Sequence, residues 1–195
     1  MTSRPVLELG GQLGPGRFVL VPEAEAEAYR PFPTLPTMNT GPAVPPWLPV
    51  AFGELGVREV KGGENPRIME YHGTIDPKRS YLDEDEDPWC ASFVGWVLRQ
   101  VGIKGSGLAA ARSYEAWGEA SPARLGAIAV FHRGNGPRVP WDPKNPTPGH
   151  VAILLAETAR GVAVLGGNQG DGVTVSTFAR ADLIGYRWPT SWGTP

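Results

Sequence analysis

The sequence predicts an α+β domain in which N-terminal helices pack on a five- to six-stranded antiparallel sheet. Three observations carry this reading. Apolar residues recur at helical spacing up to about residue 117, and beyond it they cluster in short strand-like runs. Those runs lie too close together for the crossovers that parallel neighbours need.

The helices follow in order. Leu48, Ala51, Phe52 and Leu55 fall at i, i+3, i+4 and i+7, which predicts a first helix over 47–56. Asn65 as cap, Pro66 at the first helical position and Gly73 past the end bracket a second over RIMEYH. A third, from Pro88 to Gln100, has Asp87 as its cap and Phe93, Val94, Val97, Leu98 and Val101 as its apolar stripe. That places Cys90 in its first turn. Ala110, Tyr114 and Trp117 predict a fourth helix over 108–117. Strands are expected at 126–132, 150–157, 161–168, 172–178 and 183–188, each rich in Val, Ile, Leu or aromatics and bounded by Gly, Pro, Asn or Asp.

Composition sets the outer limits. Glycine (26) and proline (21) make up about a quarter of the 195 residues, yet 41% are hydrophobic and seven are Trp, enough to fill one core. Ten of the prolines lie within residues 1–49. The division expected is therefore a Pro/Gly-rich arm over 1–46, a domain over 47–190 and a short tail over 191–195. Within the arm, VLEL (6–9) and RFVLV (17–21) are matched for a small hairpin and residues 22–30 for one or two helical turns. The run from Pro31 to Pro49 reads as a polyproline II tether of up to roughly 60 Å at about 3.1 Å per residue.

Several function classes drop out. A formal net charge of −2 and the absence of any Lys/Arg-rich run argue against nucleic acid as a partner. A single cysteine excludes an intrachain disulfide and any site of two or more thiolates. No stretch approaches 18 consecutive apolar residues, and the first residues lack the basic and apolar regions of a signal peptide. Synthesis in the cytoplasm without standard secretion is the expectation. GSGLAA (105–110) satisfies a dinucleotide-binding pattern but follows a helix and lacks the acidic residue about 20 positions on.

Three residues remain as candidates for chemistry. In the first turn of a helix, the Cys90 sulfur lies near unpaired N–H groups and the positive end of the dipole, which favours a thiolate. Against this stands the reading of a free cysteine as a small buried hydrophobe. His150 opens the apolar strand HVAILLAE, and Asn168 closes the next one. A three-residue turn at Thr158–Arg160 puts Glu157 opposite Gly161 and, followed down the hairpin, His150 opposite Asn168 on one face. A one-residue slip breaks that pairing. The small residues on this face leave room for the helix bearing Phe93 and Trp96, which would bring Cys90 within hydrogen-bond reach of His150. The bland alternatives are a solvated strand-end histidine and a turn asparagine. His72 and His132 read as structural. Together Cys90, His150 and Asn168 fit a nucleophile, a base and a ring-orienting amide.

PWCASFVGWVLRQVGI (88–103), GHVAILL (149–155) and VLGGNQGDGVTV (164–175) resemble the CHAP and NlpC-type cysteine peptidases, a papain-like superfamily of bacterial and phage cell-wall hydrolases. LGVREVKGGENPRIMEY (55–71) is similar to the opening of a small phage-associated CHAP-like group. The resemblance covers about 47–189. It implies a papain-like fold, with Cys90 as nucleophile, His150 as general base and Asn168 as orienting residue. The implied activity is hydrolysis of an amide bond in peptidoglycan, as an N-acetylmuramoyl-L-alanine amidase or a stem-peptide endopeptidase.

Two features depart from the family pattern: a long loop over 133–149 and five consecutive carboxylates at Asp83–Asp87. Carboxylates beside a thiol oppose its ionisation, so these side chains are expected to face solvent. Asp83, Asp85 and Asp87 alternate as in a calcium loop, and some related domains bind calcium nearby. The EF-hand pattern nevertheless fails, with Pro88 at its sixth position and Val94 at its twelfth. No cofactor is expected, with calcium the alternative. The oxyanion hole would use the Cys90 N–H and a second donor, for which Asn65 and Tyr71 are candidates. The Pro-rich arm suits a lysin mounted through it on a phage tail or tail-like particle, acting at the cell wall; release through a holin is the other route. The alternatives are a catalytically vestigial tail or adaptor protein and a secreted antibacterial amidase.

Overall fold

The computed structural model describes residues 44–76, 87–134 and 138–192. The expected hairpin and helical turns of the arm, and its tether up to residue 43, lie outside these, as do Asp83 and Asp85. The described chain is α+β, as the sequence predicts. Helices α1 (Trp47–Gly53), α2 (Pro66–His72) and α3 (Cys90–Gln100) precede a 3-10 helix at Ala111–Ala116 and six strands. These are β1 (Glu119–Ser121), β2 (Ile128–His132), β3 (Gly149–Thr158), β4 (Gly161–Gly166), β5 (Thr174–Phe178) and β6 (Leu183–Trp188), with a short 3-10 turn before the last. The sheet is antiparallel with the order β1-β6-β2-β3-β4-β5.

Local chemistry explains most boundaries. Asn65 caps α2 by accepting the Arg67 N–H at 2.9 Å, with Pro66 at the first position. Helix α3 begins two residues later than expected: Trp89, not Asp87, is its N-cap, and no side chain caps it. Its eight buried residues run from Cys90 to Leu98 and leave out Trp96, which turns toward Tyr71 (5.2 Å) and lies 5.0 Å beneath the Arg67 guanidinium. In α1 the buried face is Trp47, Leu48 and Ala51, while Phe52 is 40% exposed. Trp47 decides this rotation by donating to Gly126 O at 2.8 Å and packing edge-on against Trp188. The expected fourth helix tightens to the 3-10 segment, and β1 is an edge strand too short to leave a sequence signal.

The sheet curls. Strands β3 and β4 separate β2 from β5, yet the Phe131 and Phe178 rings stack with centroids 4.9 Å apart. The concave face therefore closes on aromatic rings. Helix α3 packs against β3 and β4, and there the Gly167 backbone lies against Trp89 and Phe93 so closely that a Cβ would meet ring atoms at 2.4 and 2.6 Å.

Candidate active site

The site forms where the β3–β4 hairpin comes apart. Ile153 pairs with Leu165 and Leu154 with Val164, which is the register the sequence predicts at this end. The route to it differs. The turn has two residues, with Thr158 opposite Gly161, and a bulge at Leu155 absorbs the extra residue. The ladder then stops at Gly166. Leu154 donates to Ala127 O on the β2 side, so the alternate residue Val151 directs its N–H toward β4, whose pairing has ended. The Cys90 sulfur occupies this gap, where the Val151 N–H favours its thiolate form.

His150 sits on the concave face, 1% exposed, stacked on Phe178 at 4.7 Å and tilted against Phe131. Its Nε2 lies 3.0 Å from Gln169 Oε1. The Gln169 amide is itself fixed: Nε2 donates to the carbonyl of Thr174 at 2.6 Å, and because a carbonyl oxygen can only accept, its partner must be the N–H end of the amide. Oε1 must then face the ring, so His150 Nε2 carries the proton and Nδ1 is left with its lone pair. Nδ1 is buried and makes no hydrogen bond among the described residues, so the expected bond to Cys90 is not formed. An unprotonated ring nitrogen without a partner is the state a general base requires.

The sequence puts Asn168 on the ring; the structure puts its neighbour there. Asn168 adopts a left-handed conformation with φ 55°, which turns the chain out of the strand line and delivers the next side chain to His150. Strand alternation carries no information past the end of pairing, and the Gly166-Gly167 pair is the signal that marks that end. The two candidates for a second oxyanion donor are both committed elsewhere. Asn65 Nδ2 donates to Arg58 O at 2.6 Å, and the Tyr71 hydroxyl donates to Glu54 at 2.6 Å. His72 Nδ1 lies 3.1 Å from Ser92 Oγ, and His132 is buried on the opposite face from His150. Asp87 stands three residues before Cys90, and no group of three or more metal-ligating side chains occurs among the described residues.

Electrostatics make the resting pair neutral. Burial pushes the Cys90 thiol up, against the pull of the Val151 N–H, the Arg133 charge and the N–H groups of Ala91 and Cys90 itself. Burial pulls His150 down to about 4, with the Gln169 hydrogen bond opposing and the Arg133 charge assisting. Near pH 7 this gives a thiol and a neutral imidazole.

The CHAP domain family model matches residues 82–168, a span that holds Cys90, His150 and Asn168 and stops one residue short of Gln169. The match spans less than half of the chain and is consistent with a CHAP/NlpC-type papain-like assignment. CHAP domains are typically cysteine-dependent amidases or peptidases, and the match points to hydrolysis of peptidoglycan. A comparison with curated proteins finds no match.

Proposed function

We propose that this domain cleaves an amide bond of peptidoglycan with Cys90 as nucleophile, His150 Nδ1 as base and then acid, and Gln169 as the residue that holds the ring. The observation that carries this is the Thr174–Gln169–His150 chain of hydrogen bonds, which leaves Nδ1 as the one ring atom able to take a proton. In the reaction the Cys90 proton moves to Nδ1 as sulfur bonds to the carbonyl carbon. The Cys90 N–H, at the start of an 11-residue helix, supports the resulting oxyanion. The C–N bond then breaks as Nδ1–H protonates the leaving amine. Water, losing one proton to Nδ1, attacks the thioester; the C–S bond breaks as Nδ1–H returns that proton to sulfur, and the released acid loses its own proton to solvent. The chemistry as written needs no metal.

Because the resting pair is neutral, proton transfer and attack occur together when substrate displaces the groups that bury the thiol. Burial also favours a second reading. Cys90 is 4% and His150 1% exposed, as they would be in a domain kept for binding after catalysis was lost. The Pro-rich arm supports placing either version on a phage tail or tail-like particle that reaches the wall from outside the cell.

Digestion of purified peptidoglycan by the wild type and by Cys90→Ser, with and without calcium, tests the enzyme. Soluble fragments from the wild type, reduced at least 1,000-fold in the variant at unchanged Tm, are the expected result. Fragment masses identify the bond. No release by either protein supports the binding reading.

A further inference from the structure

We propose that Arg133 is a substrate carboxylate receptor that makes the site selective for a peptide with a free acid beside the scissile amide. This rests on the hydrolytic reading above. Arg133 follows the last residue of β2, and its N–H donates to Pro148 O at 3.3 Å, one step beyond the His132–Gly149 pair and two residues from His150. It thus stands at the open end of the hairpin, where Cys90 meets Val151. Among the described residues, Arg133 is the charged side chain whose field reaches both Cys90 and His150.

Arg133 is exposed and makes no ion pair among the described residues. Other charges near the site are already engaged. Arg112 is locked to Glu115 Oε1 at 2.5 Å, and Glu59 accepts from Trp89 Nε1 at 2.7 Å. A guanidinium is a planar fork suited to a carboxylate and is never neutral, so an anionic group on a bound substrate is its natural partner. Peptidoglycan stems offer one. The second residue is linked through its side-chain carboxyl, and its α-carboxyl stands free or amidated close to the amide bonds on either side.

The test uses two soluble muropeptides identical except that this α-carboxyl is free in one and amidated in the other. The wild type is expected to cleave the acid about tenfold faster in kcat/KM, and Arg133→Gln to bring the ratio to about one. Arg133→Lys should keep part of the preference. Taking the ratio within each protein cancels any effect of Arg133 on the thiol itself. The same pair is titrated calorimetrically against Cys90→Ala and against Cys90→Ala combined with Arg133→Gln. Tighter binding of the acid by the first and equal binding by the second supports the receptor even if neither peptide is cleaved, in which case the hydrolytic reading falls alone. Equal handling of both peptides by the wild type and by Cys90→Ala, or a preference that survives Arg133→Gln, overturns the proposal.

Discussion

The two ends of the β3–β4 hairpin differ in how the chain treats its polar groups. At the turn end, Thr158 pairs with Gly161, and its hydroxyl donates to Gly161 O while accepting the Arg160 N–H. Arg180 donates to Thr158 O and pairs with Glu157 at 2.7 Å. At the other end the ladder stops, Val151 turns its N–H to a sulfur, and the His150 ring keeps a bare nitrogen. One hairpin thus supplies both a satisfied terminus and an unsatisfied one. Pairing must fail somewhere if backbone donors and ring nitrogens are to be left for a reaction, and rigid strands on either side fix where they point.

The largest stability effect that sharpens this contrast comes from pH. The unfolded chain binds a proton at His150 near pH 6.5, whereas the folded chain does so only near 4. Stability from this group is therefore complete above pH 6.5, falls as pH drops toward 4 and then levels. The loss is about 3 kcal/mol. Urea midpoints measured from pH 7.5 to 4 should show it, and His150→Phe should remove that part of the slope. The acid limb of the activity profile is expected near pH 4 rather than 6.5.

Next in size is a steric break. Gly167→Ala puts a methyl group against Trp89 and within 2.7 Å of the Phe93 Cβ, so α3 must move off the sheet and carry Cys90 from the gap. A cost of about 2 kcal/mol is expected, together with faster alkylation of the thiol. Gly185→Ala on β6, where nothing lies within 4 Å, is the control and should change stability by less than about 0.5 kcal/mol. Equal Tm values for the two variants would show that the open end is not held by this contact.

How much of this was legible in the sequence divides along the same hairpin. Periodicity reveals an apolar strand because burial enforces alternation, so β2 to β6 lie near their expected places. Register was legible at Ile153 and Leu154 only because two unseen features cancel: a turn one residue shorter than expected and a bulge at Leu155. Neither leaves a mark in composition. The helix start was misplaced because Asp87 is a good cap by type, while the tertiary contacts of Trp89, buried and bonded to Glu59, set the boundary. The positions of Cys90 at a helix start and His150 near a strand start were legible from helix and strand signals. The contact of Gln169 with the His150 ring was not, since it depends on a left-handed turn one residue earlier.

That last difference yields the smallest effect and the sharpest test. If the ring is held by Gln169, Gln169→Ala frees Nε2 and lowers kcat about tenfold with little change in KM. Gln169→Glu places a carboxylate on Nε2, raises the His150 pKa and moves the acid limb upward from pH 4. Asn168→Gly keeps the left-handed turn, because glycine adopts φ near 55° without strain, and removes only the amide. Its activity should stay within about twofold of wild type, since the residue acts through its backbone. A tenfold loss in Asn168→Gly with Gln169→Ala unchanged would return the orienting role to Asn168. It would also mean that the end of the hairpin closes by one residue when substrate binds.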